Sequence, residues 1–416
     1  MNEKSIQLQQ SSKKISGKIQ LTGSKSESNR ALIIQALSHG AVHIENLSEA
    51  ADTVIMQKAL AQALAASSEP TQIDIGPAGT AMRFLTSFLN LVPGEFTLTG
   101  TERMQLRPIG TLVDALQALG TDIQYEKKAG YPPLKIKGGF SQQAATIHIP
   151  GDISSQYISS LLLIAASLEQ GLCLNIIGEL TSKPYVKMTL DMLKEAGISH
   201  TWEGNQIQIA PQEFQAATIY VEPDWSAASY WYSIVALSDN GSILLPGLKA
   251  NSLQGDIAIV EIMQHFGVES SFTAAGLALQ KTDKSSNQVR FDFKECPDLA
   301  QTVVALAAAI GRDISITGVE TLKIKETDRL AALRTEIGKF GAELIQEGEV
   351  YHVKTAQVQA PAALSFDTYE DHRMAMAFAP LALIFNNVTI NEPLVVEKSY
   401  PLFWEHLQAQ GFTIGS

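Results

Sequence analysis

The chain has 416 residues, of which 43 are acidic and 31 are basic, so its formal net charge at pH 7 is -12. This negative charge disfavours non-specific binding to nucleic acid or to an anionic membrane surface. Apolar residues make up 45% of the chain, which is ordinary for a globular protein and excludes a largely disordered or collagen-like chain. A prior of roughly 150 residues per domain predicts two or three domains.

Cysteine usage and the apolar runs both predict a cytoplasmic, soluble protein. The two cysteines, Cys173 and Cys296, are too few for a disulfide framework, and neither belongs to a CxxC pair that would indicate structural zinc. The first residues, MNEKSIQLQQ, lack the apolar stretch of a signal peptide. The apolar run ISSLLLIAASL is shorter than the about 20 residues that span a bilayer.

One pattern recurs six times along the chain: a polar start, an Ala- and Leu-rich stretch of helical length, a short alternating strand, and then Gly, Asn or Pro. In chain order the six copies are 29–47, 79–100, 155–178, 226–247, 298–318 and 372–393. Their closing turns are spaced by roughly 70 residues, which is longer than the repeats of solenoid proteins. Six such copies predict two domains with three copies each.

The helical stretches are apolar on nearly all sides, so they are predicted to be buried helices. The strands alternate, as in Ile314-Ser315-Ile316, so each should have one face in water. Buried helices beneath half-exposed sheets predict an inside-out α/β fold. No GxGxxG follows a strand, so a dinucleotide-binding fold is not supported.

Two places along the chain are suited to a crossing between domains. The segment 221–224, VEPD, lies between the third and fourth copies, and the region near Thr22 precedes the first. This predicts a discontinuous lobe of residues 1–22 and 225–416 and a continuous lobe of residues 23–224.

Basic residues stand close to several predicted helix starts. The segments GSKSESNR, GPAGTAMR and DHR place Lys25, Arg30, Arg83 and Arg373 within about a turn of three starts. A helix N-terminus carries unpaired N–H groups and about half a positive charge, and small residues let an anion approach it. Capping by Ser, Thr or Asp explains any single start but not these basic residues. If the helices converge on one cleft, that cleft attracts anions.

Further basic residues stand in loop contexts, in RPIG, TSKPY, KETDR and EKSY. Lys325 and Arg329 of KETDR are four residues apart and would share a helix face if the helix has begun there. A lone Lys or Arg is ordinarily a solvated surface charge, whereas two anionic ligands would need several such charges together. The sequence lacks a P-loop, a GxSxG elbow and a metal-ligand spacing, so any chemistry must rely on acids, bases and positive charge.

The segments GSKSESNRAL, AGTAMR, RPIG, SSQ, SKPY, KETDR and DHRMAM follow one another in a single order. In this order they resemble the EPSP synthase family of enolpyruvyl transferases (3-phosphoshikimate 1-carboxyvinyltransferases), over essentially the whole chain. The resemblance implies a two-domain inside-out α/β barrel of six βαβαββ-type units, three per domain, with buried helices whose N-termini face the interdomain cleft.

The resemblance also implies the reaction. The enolpyruvyl group of phosphoenolpyruvate passes to the 5-hydroxyl of shikimate 3-phosphate by addition and elimination, giving 5-enolpyruvylshikimate 3-phosphate and phosphate for aromatic amino acid biosynthesis. No metal or organic cofactor is implied, and neither nucleic acid nor a membrane is an expected partner. The family suggests a cytoplasmic monomer.

Residue roles are carried over from the same resemblance. Glu326 would protonate carbon 3 of phosphoenolpyruvate and Asp298 would accept the hydroxyl proton, with Lys25 as a rival for part of the proton transfer and His372 aiding in positioning. The expected contacts of phosphoenolpyruvate are Lys25, Gly79, Arg83, Arg107, Arg329, Arg373 and Lys398. The expected contacts of shikimate 3-phosphate are Lys25, Ser26, Arg30, Ser154, Ser155, Gln156, Ser182, Tyr185, Asp298 and Lys325.

Three residues depart from the family's common pattern, namely Pro77, Phe84 and Thr321, which leaves fine contacts and the response to the inhibitor glyphosate open. One alternative is the enolpyruvyl transferase that acts on UDP-N-acetylglucosamine, but its usual motif has a Cys in a Gly-rich mobile loop that this chain lacks. Another is a non-catalytic relative that only binds a phosphorylated ligand, which the intact acid and base disfavour. An RNA-end-processing enzyme of related architecture is disfavoured by the negative charge.

Overall fold

A computed structural model describes residues 4–10, 12–65, 69–284 and 288–415. The chain forms two compact units, one of Met1–Thr22 with Glu222–Ser416 and one of Gly23–Val221. We call them the discontinuous unit and the continuous unit. The second passage between them follows Val221, slightly before the boundary at residue 224 expected from the sequence.

The strands of the described residues, in chain order, are β1 (Ser5–Gln9), β2 (Ser16–Lys18), β3 (Val42–Glu45), β4 (Thr71–Asp74), β5 (Gly94–Thr99), β6 (Asp122–Tyr125), β7 (Leu134–Gly138), β8 (Thr146–Pro150), β9 (Leu172–Ile177), β10 (Thr201–Glu203), β11 (Gln206–Ile209), β12 (Ala217–Tyr220), β13 (Ser242–Leu245), β14 (Val268–Thr273), β15 (Gly276–Lys281), β16 (Arg290–Asp292), β17 (Ile314–Thr317), β18 (Glu343–Glu347), β19 (Val350–Lys354), β20 (Leu364–Phe366), β21 (Val388–Asn391) and β22 (Thr413–Gly415).

The α-helices are α1 (Lys25–Leu37), α2 (Ala51–Leu64), α3 (Gly79–Phe88), α4 (Glu102–Gln105), α5 (Gly110–Ala118), α6 (Ser155–Ala165), α7 (Lys183–Glu195), α8 (Trp225–Leu237), α9 (Ile259–Gln264), α10 (Ala300–Ala309), α11 (Arg329–Gly338), α12 (His372–Phe378) and α13 (Phe403–Ala409). Short 3₁₀ helices span Gly255–Ala258, Pro297–Leu299, Glu320–Ile324, Ala379–Leu383 and Pro393–Lys398.

The described residues form three sheets in each unit. The continuous unit has strand orders β10-β11-β9-β8, β4-β5-β7-β6 and β12-β3, and the discontinuous unit has β20-β21-β1-β22, β14-β15-β13-β2 and β16-β17-β19-β18. Every four-stranded sheet has one parallel pair at an edge and two antiparallel pairs. In four sheets one helix (α3, α6, α10 or α12) connects the parallel strands, since parallel strands need a crossover between them.

The connecting helices are buried because their surfaces are apolar on all sides. Every residue of α10 and α12 is buried, and in α6 and α8 the single exception is a first-turn polar residue, Gln156 and Ser226 respectively. The strands beside them alternate between buried and half-exposed residues, as in β17. Helix interiors therefore form the cores, while helix starts are the places where polar side chains gather.

Three further properties of the described residues concern helix length, metal-ligating side chains and thiols. No helix among them is both long and apolar enough to cross a membrane. They contain no group of three His, Cys, Asp or Glu side chains that could hold a metal ion. Both cysteines are free thiols, with Cys173 half-buried and Cys296 buried. Burial, followed by neighbouring carboxylates, raises the pKa of the Cys296 thiol, so it stays protonated.

Candidate functional site

Charged side chains of the discontinuous unit gather around Arg329, the first residue of α11. We call this group the Arg329 cluster; its members are Asp298, Lys325, Glu326, Arg329, Asp371, Arg373 and Lys398. They stand at or just before the starts of α10, α11 and α12 and at the end of a 3₁₀ helix. Because α10 contacts both α11 and α12, the starts of these helices are brought together.

The guanidinium of Arg329 binds three carboxylates. Nε donates to Asp371 Oδ2 at 2.7 Å, Nη1 to Asp298 Oδ1 at 2.8 Å and Nη2 to Glu326 Oε2 at 3.0 Å. Burial alone would lower the pKa of Arg329, but the three carboxylates raise it above its ordinary value. The planar fork of Arg can bond in several directions at once, whereas a Lys ammonium is a single point charge. Arg329 is therefore the permanent cation at the centre.

Asp298 lies between three cations. Besides Arg329, it accepts from Arg373 Nη2 at 2.9 Å, and Lys325 Nζ lies 3.8 Å from its Oδ1. Burial alone would raise the pKa of Asp298, but the positive charges of Arg373, Lys325 and Arg329 hold it well below its usual range. Its carboxylate is therefore ionised at neutral pH.

Lys325 lies outside α11, so the condition under which it would share a helix face with Arg329 is not met. The helix α11 begins only at Arg329, because Asp328 is its N-cap and accepts from the backbone N–H groups of Leu330 and Ala331. Lys325 thus precedes the helix instead of sharing a face of it. Burial lowers the pKa of Lys325, and Asp298 opposes this effect.

Glu326 is held by cations from two separate elements. Lys398 Nζ donates to its Oε1 at 2.9 Å, while Arg329 binds Oε2. The Glu326 side chain is 15% exposed and that of Lys398 is 10% exposed. The carboxyl group is thus fixed in orientation, and its side chain keeps a small exposed fraction.

The start of α12 contributes three consecutive residues. Asp371 is the N-cap and accepts from the backbone N–H of Arg373 at 3.0 Å in addition to binding Arg329. His372 is buried, with Nδ1 3.5 Å from Asp371 Oδ1. The guanidinium of Arg373 donates to Tyr230 Oη at 3.4 Å, and burial raises the pKa of Tyr230 to about 12, so that phenol stays neutral.

In the continuous unit two arginines converge on Gly79, the first residue of α3. A Cβ at this position would lie 2.6 Å from Arg107 Nη1 and 2.9 Å from Arg83 Nη1, so any side chain here would push the ends of both arginines aside. The preceding residue, Ala78, provides no side-chain cap. First-turn N–H groups beside two guanidinium groups attract an anion.

Lys25 and Arg30 both lie on α1 but differ in their surroundings. Lys25 Nζ donates to the buried carboxylate of Asp52 at 3.0 Å. Arg30 is itself buried and donates to Thr189 Oγ1 at 2.7 Å and to Ser159 Oγ at 3.1 Å. Burial lowers the pKa of Arg30 to about 10. Its contacts connect α1 to α6 and α7, which gives Arg30 a structural role whether or not it also binds ligand.

Other expected ligand contacts of the continuous unit lie at helix starts near Arg30. Its Nη1 donates to the backbone oxygen of Ser26 at 2.8 Å, and its guanidinium lies 5.9 Å from the ring centroid of Tyr185. Ser182 is the N-cap of α7, in the left-handed region at φ 54°. Its position just before Tyr185 places both residues at the start of one helix.

The start of α6 is tied to the start of α3. Ser154 is the N-cap of α6 and accepts from the backbone N–H of Gln156 at 3.3 Å. Gln156 Nε2 in turn donates to Thr80 Oγ1 at 3.2 Å. Ser155, the first residue of α6, is buried beside them. These contacts bring the SSQ and AGTAMR segments together within the unit.

The burial of the basic side chains distinguishes them from solvated surface charges. Arg30, Arg83, Arg329, Arg373 and Lys398 are each 9% exposed or less. Charged side chains are rarely buried to this extent unless they are paired. A set of five indicates a binding or catalytic arrangement more than a set of solubilising charges.

No role was predicted from the sequence for three carboxylates that lie in or beside these groups. Asp371 anchors Arg329, Asp52 anchors Lys25, and Asp256 accepts from the hydroxyl of Ser226, which lies next to Arg373. An acidic residue before a helix looks like an ordinary cap in sequence. The second role of Asp371 therefore had no signal beyond its place in the DHRMAM segment.

Comparison with known proteins identifies the family. A family model described as EPSP synthase (3-phosphoshikimate 1-carboxyvinyltransferase) matches residues 9–69 and 54–407. The chain belongs to this family. A 3-phosphoshikimate 1-carboxyvinyltransferase of Bacteroides fragilis (strain YCH46) is 46% identical over 402 residues, covering 96% of this chain and 96% of the relative. That of Aliivibrio salmonicida (strain LFI1238) is 38% identical over 424 residues, covering 95% and 97%.

A solved structure shares the fold. An EPSP synthase from Acinetobacter baumannii matches with a TM-score of 0.78 at 20% sequence identity, over 99% of this chain and 100% of that one. The mixed α/β fold expected from the sequence is thereby confirmed, as is the family that the motifs resemble. Membership places the chain among the transferase enzymes.

Proposed function

We propose that this chain transfers the enolpyruvyl group of phosphoenolpyruvate to the 5-hydroxyl of shikimate 3-phosphate and releases phosphate. The observation that carries the proposal is the Arg329 cluster, in which the carboxyl groups of Asp298 and Glu326 are held among four cations. Both substrates carry phosphate and carboxylate groups, which require cations. The bond changes require an acid and a base.

The reaction has two stages that balance in atoms and charge. In the addition, the hydroxyl oxygen bonds to carbon 2 of phosphoenolpyruvate, carbon 3 gains a proton, and the hydroxyl loses its own proton. In the elimination, carbon 3 gives up a proton and the bond from carbon 2 to the phosphate oxygen breaks, with the electron pair leaving on phosphate, which takes up a proton. Each stage therefore needs one proton donor and one proton acceptor.

Glu326 and Asp298 supply this pair in our proposal. Glu326 gives the proton to carbon 3, while Lys398 and Arg329 hold its carboxyl oxygens in place. Asp298 takes the hydroxyl proton. Its low pKa makes Asp298 a weak base as long as no other anion competes for the neighbouring cations. When substrate anions share those cations, their hold on Asp298 weakens and it becomes a stronger base.

The binding roles follow the basic and hydroxyl residues of both units. We assign the anionic groups of phosphoenolpyruvate to Lys25, Gly79, Arg83, Arg107, Arg329, Arg373 and Lys398. We assign shikimate 3-phosphate to Lys25, Ser26, Arg30, Ser154, Ser155, Gln156, Ser182, Tyr185, Asp298 and Lys325. In this assignment Lys25 also takes part in proton transfer, and His372 has a positioning role.

The remaining parts of the proposal concern architecture and setting. We propose that the two compact units are the lobes expected from the sequence, each an inside-out barrel; three sheets and buried helices in each unit support this. We also propose a monomer that works in the cytoplasm. Two free thiols are compatible with that reducing compartment. No cofactor is needed, because the acid, the base and the cations can perform every bond change.

A two-substrate assay of phosphate release tests the assignment. The purified protein is expected to release phosphate only when phosphoenolpyruvate and shikimate 3-phosphate are present together. Each substrate alone, and phosphoenolpyruvate with UDP-N-acetylglucosamine, should give none. Release with the sugar nucleotide but not with shikimate 3-phosphate would overturn the substrate assignment.

Replacement of Glu326 by Gln tests the proton donor. Glu326→Gln is expected to lower kcat by about 100- to 10,000-fold while the Kd of each substrate changes little, since the amide cannot supply the acid. Glu349→Gln, an exposed glutamate of the same unit, is the matched control and should behave as the parent. Equal losses in kcat and in affinity would show that Glu326 binds ligand instead of transferring a proton.

A further inference from the structure

A buried carboxylate lies beside the Arg329 cluster without belonging to it. Asp256, in the 3₁₀ helix Gly255–Ala258, is 3% exposed. Its Oδ2 accepts a hydrogen bond from the hydroxyl of Ser226. Its Oδ1 is buried and has no hydrogen-bond partner among the described residues. Burial favours the protonated form of a carboxyl group when one of its oxygens accepts no hydrogen bond.

Ser226 connects this carboxylate to Arg373. The Ser226 Oγ lies 3.3 Å from Arg373 Nη2, the same nitrogen that donates to Asp298 at 2.9 Å. Ser226 is also the single residue of α8 that is not buried. Its hydroxyl therefore faces Asp256 on one side and the guanidinium on the other.

The direction of the hydrogen bonds at Ser226 depends on the charge of Asp256. An ionised carboxylate only accepts, so it takes the single hydroxyl proton of Ser226, whose oxygen then only accepts from Arg373. A neutral Asp256 can instead donate to Ser226. The hydroxyl proton of Ser226 is then available to an anion bound beside Arg373.

We propose that Asp256 is a positioning residue for Arg373 that takes up a proton from solvent when Arg373 binds the anion of phosphoenolpyruvate, with Ser226 relaying the change. The proposal rests on the role given to Arg373 under Proposed function. Neutral Asp256 helps the anion in two ways: it frees a donor at Ser226, and it removes a negative charge from the vicinity of Arg373. Because linkage is reciprocal, anion binding must favour the neutral form by the same factor.

The surroundings of Asp256 bring its titration into the neutral pH range, where a change in KM can be measured. Burial, and after it the negative charge of Asp298, raise the pKa of Asp256 to about 7, although Arg373 and the Ser226 hydrogen bond oppose the rise. The titratable or charged groups that face Asp256 are Asp224, Cys296, Asp298 and Arg373. Asp298 is already ionised at this pH and the Cys296 thiol is protonated, so neither changes charge near neutrality.

The experiment compares the parent with Asp256→Asn. The amide carries no charge at any pH and can still donate to Ser226, so it imitates neutral Asp256. The KM for phosphoenolpyruvate, at saturating shikimate 3-phosphate, is measured from about pH 6 to about pH 8.5, on either side of the titration. The ratio of the parent KM to the variant KM cancels the titration of the substrates themselves. Asp239→Asn is the matched control, since Asp239 is exposed and follows the C-cap at the far end of α8.

We expect the ratio of the parent KM to the Asp256→Asn KM to be near 1 at the acid end and to rise about threefold to tenfold at the alkaline end. This is the effect expected of one negative charge that is partly screened from the bound anion. The control ratio should stay flat. A flat ratio for Asp256→Asn overturns the proposal. If the parent releases no phosphate from the two substrates, the proposed function fails instead, so the two failures are distinguishable.

Ser226→Ala gives an independent measurement if Asp256→Asn does not fold. Removing the hydroxyl breaks the relay while leaving Asp256 in place. We expect a higher KM for phosphoenolpyruvate at the acid end and a shallower pH dependence than in the parent. An unchanged slope would exclude the relay, because a merely structural serine would shift the KM equally at every pH.

Discussion

Replacing Arg329 by Lys removes the central fork of the cluster while keeping one positive charge. The guanidinium makes four charge-assisted hydrogen bonds: 2.7 and 3.3 Å to Asp371, 2.8 Å to Asp298 and 3.0 Å to Glu326. An ammonium donates from a single atom and cannot reach three carboxylates that lie on separate elements. At least two of the four bonds should therefore be lost.

The expected loss of stability follows from these bonds. A hydrogen bond to a charged group contributes about 1.5 to 3 kcal/mol, so two lost bonds amount to about 3 to 6 kcal/mol. The side chain of Asp371 is fully buried, whereas those of Asp298 and Glu326 are 14% and 15% exposed. Water can partly replace the bonds to the exposed pair, so we expect the lower end, about 3 kcal/mol.

Thermal unfolding and steady-state kinetics of Arg329→Lys check this estimate. We expect a melting temperature lower by at least about 6 °C and kcat/KM lower by at least about 100-fold, since the same side chain orients both the acid and the base. Arg334→Lys, on the same helix, is the matched control: Arg334 is exposed, and its Nε donates to Leu344 O at 2.9 Å. A loss in Arg329→Lys no larger than in this control would refute the reasoning.

Three other predictions concern single positions. Gly79→Ala should raise the KM for phosphoenolpyruvate at least about tenfold with little change in melting temperature, because the new Cβ must displace the flexible ends of Arg107 and Arg83; an unchanged KM would contradict the anion site at α3. Arg83→Lys should lower kcat/KM about 10- to 100-fold, since Lys lacks paired donors; parental kinetics would remove Arg83 from the binding set. The raised pKa of Asp256 means that the folded parent keeps a proton that the unfolded chain has lost, so its stability should fall by at most about 4 kcal/mol as pH rises from about 4 to about 7. Asp256→Asn should lack this fall, which melting curves at stepped pH will show; a variant curve parallel to that of the parent would be evidence against the buried charge.

The repeated sequence pattern predicted helices and strands well in the copies whose helix is almost completely buried. The copy at 155–178 contains α6 and β9, and the copy at 298–318 contains α10 and β17, because a fully apolar helix followed by an alternating strand has few other ways to bury its surface. The charged segments KETDR and DHRMAM likewise supply most of the Arg329 cluster.

The pairing within the clusters was not predictable from spacing. Lys25 meets Asp52 across two helices, and Asp256 reaches Ser226 from a 3₁₀ helix that has no periodic signature. Lys325 and Arg329 would share a helix face only if the helix had begun by Lys325, but the chain forms the 3₁₀ helix Glu320–Ile324 and α11 begins only after its N-cap Asp328. Contacts of this kind depend on tertiary packing, which a local pattern does not encode.

The first strand of the chain has a consequence for biosynthesis. β1 pairs with β21 and β22, so it lies in a sheet whose other strands begin at Leu364, Val388 and Thr413 and are therefore synthesised long after it. The continuous unit, by contrast, has all its residues available once translation has passed Val221. Nascent chains must therefore keep β1 unpaired while the rest is synthesised, and translation that stops before residue 388 leaves that strand without either neighbour.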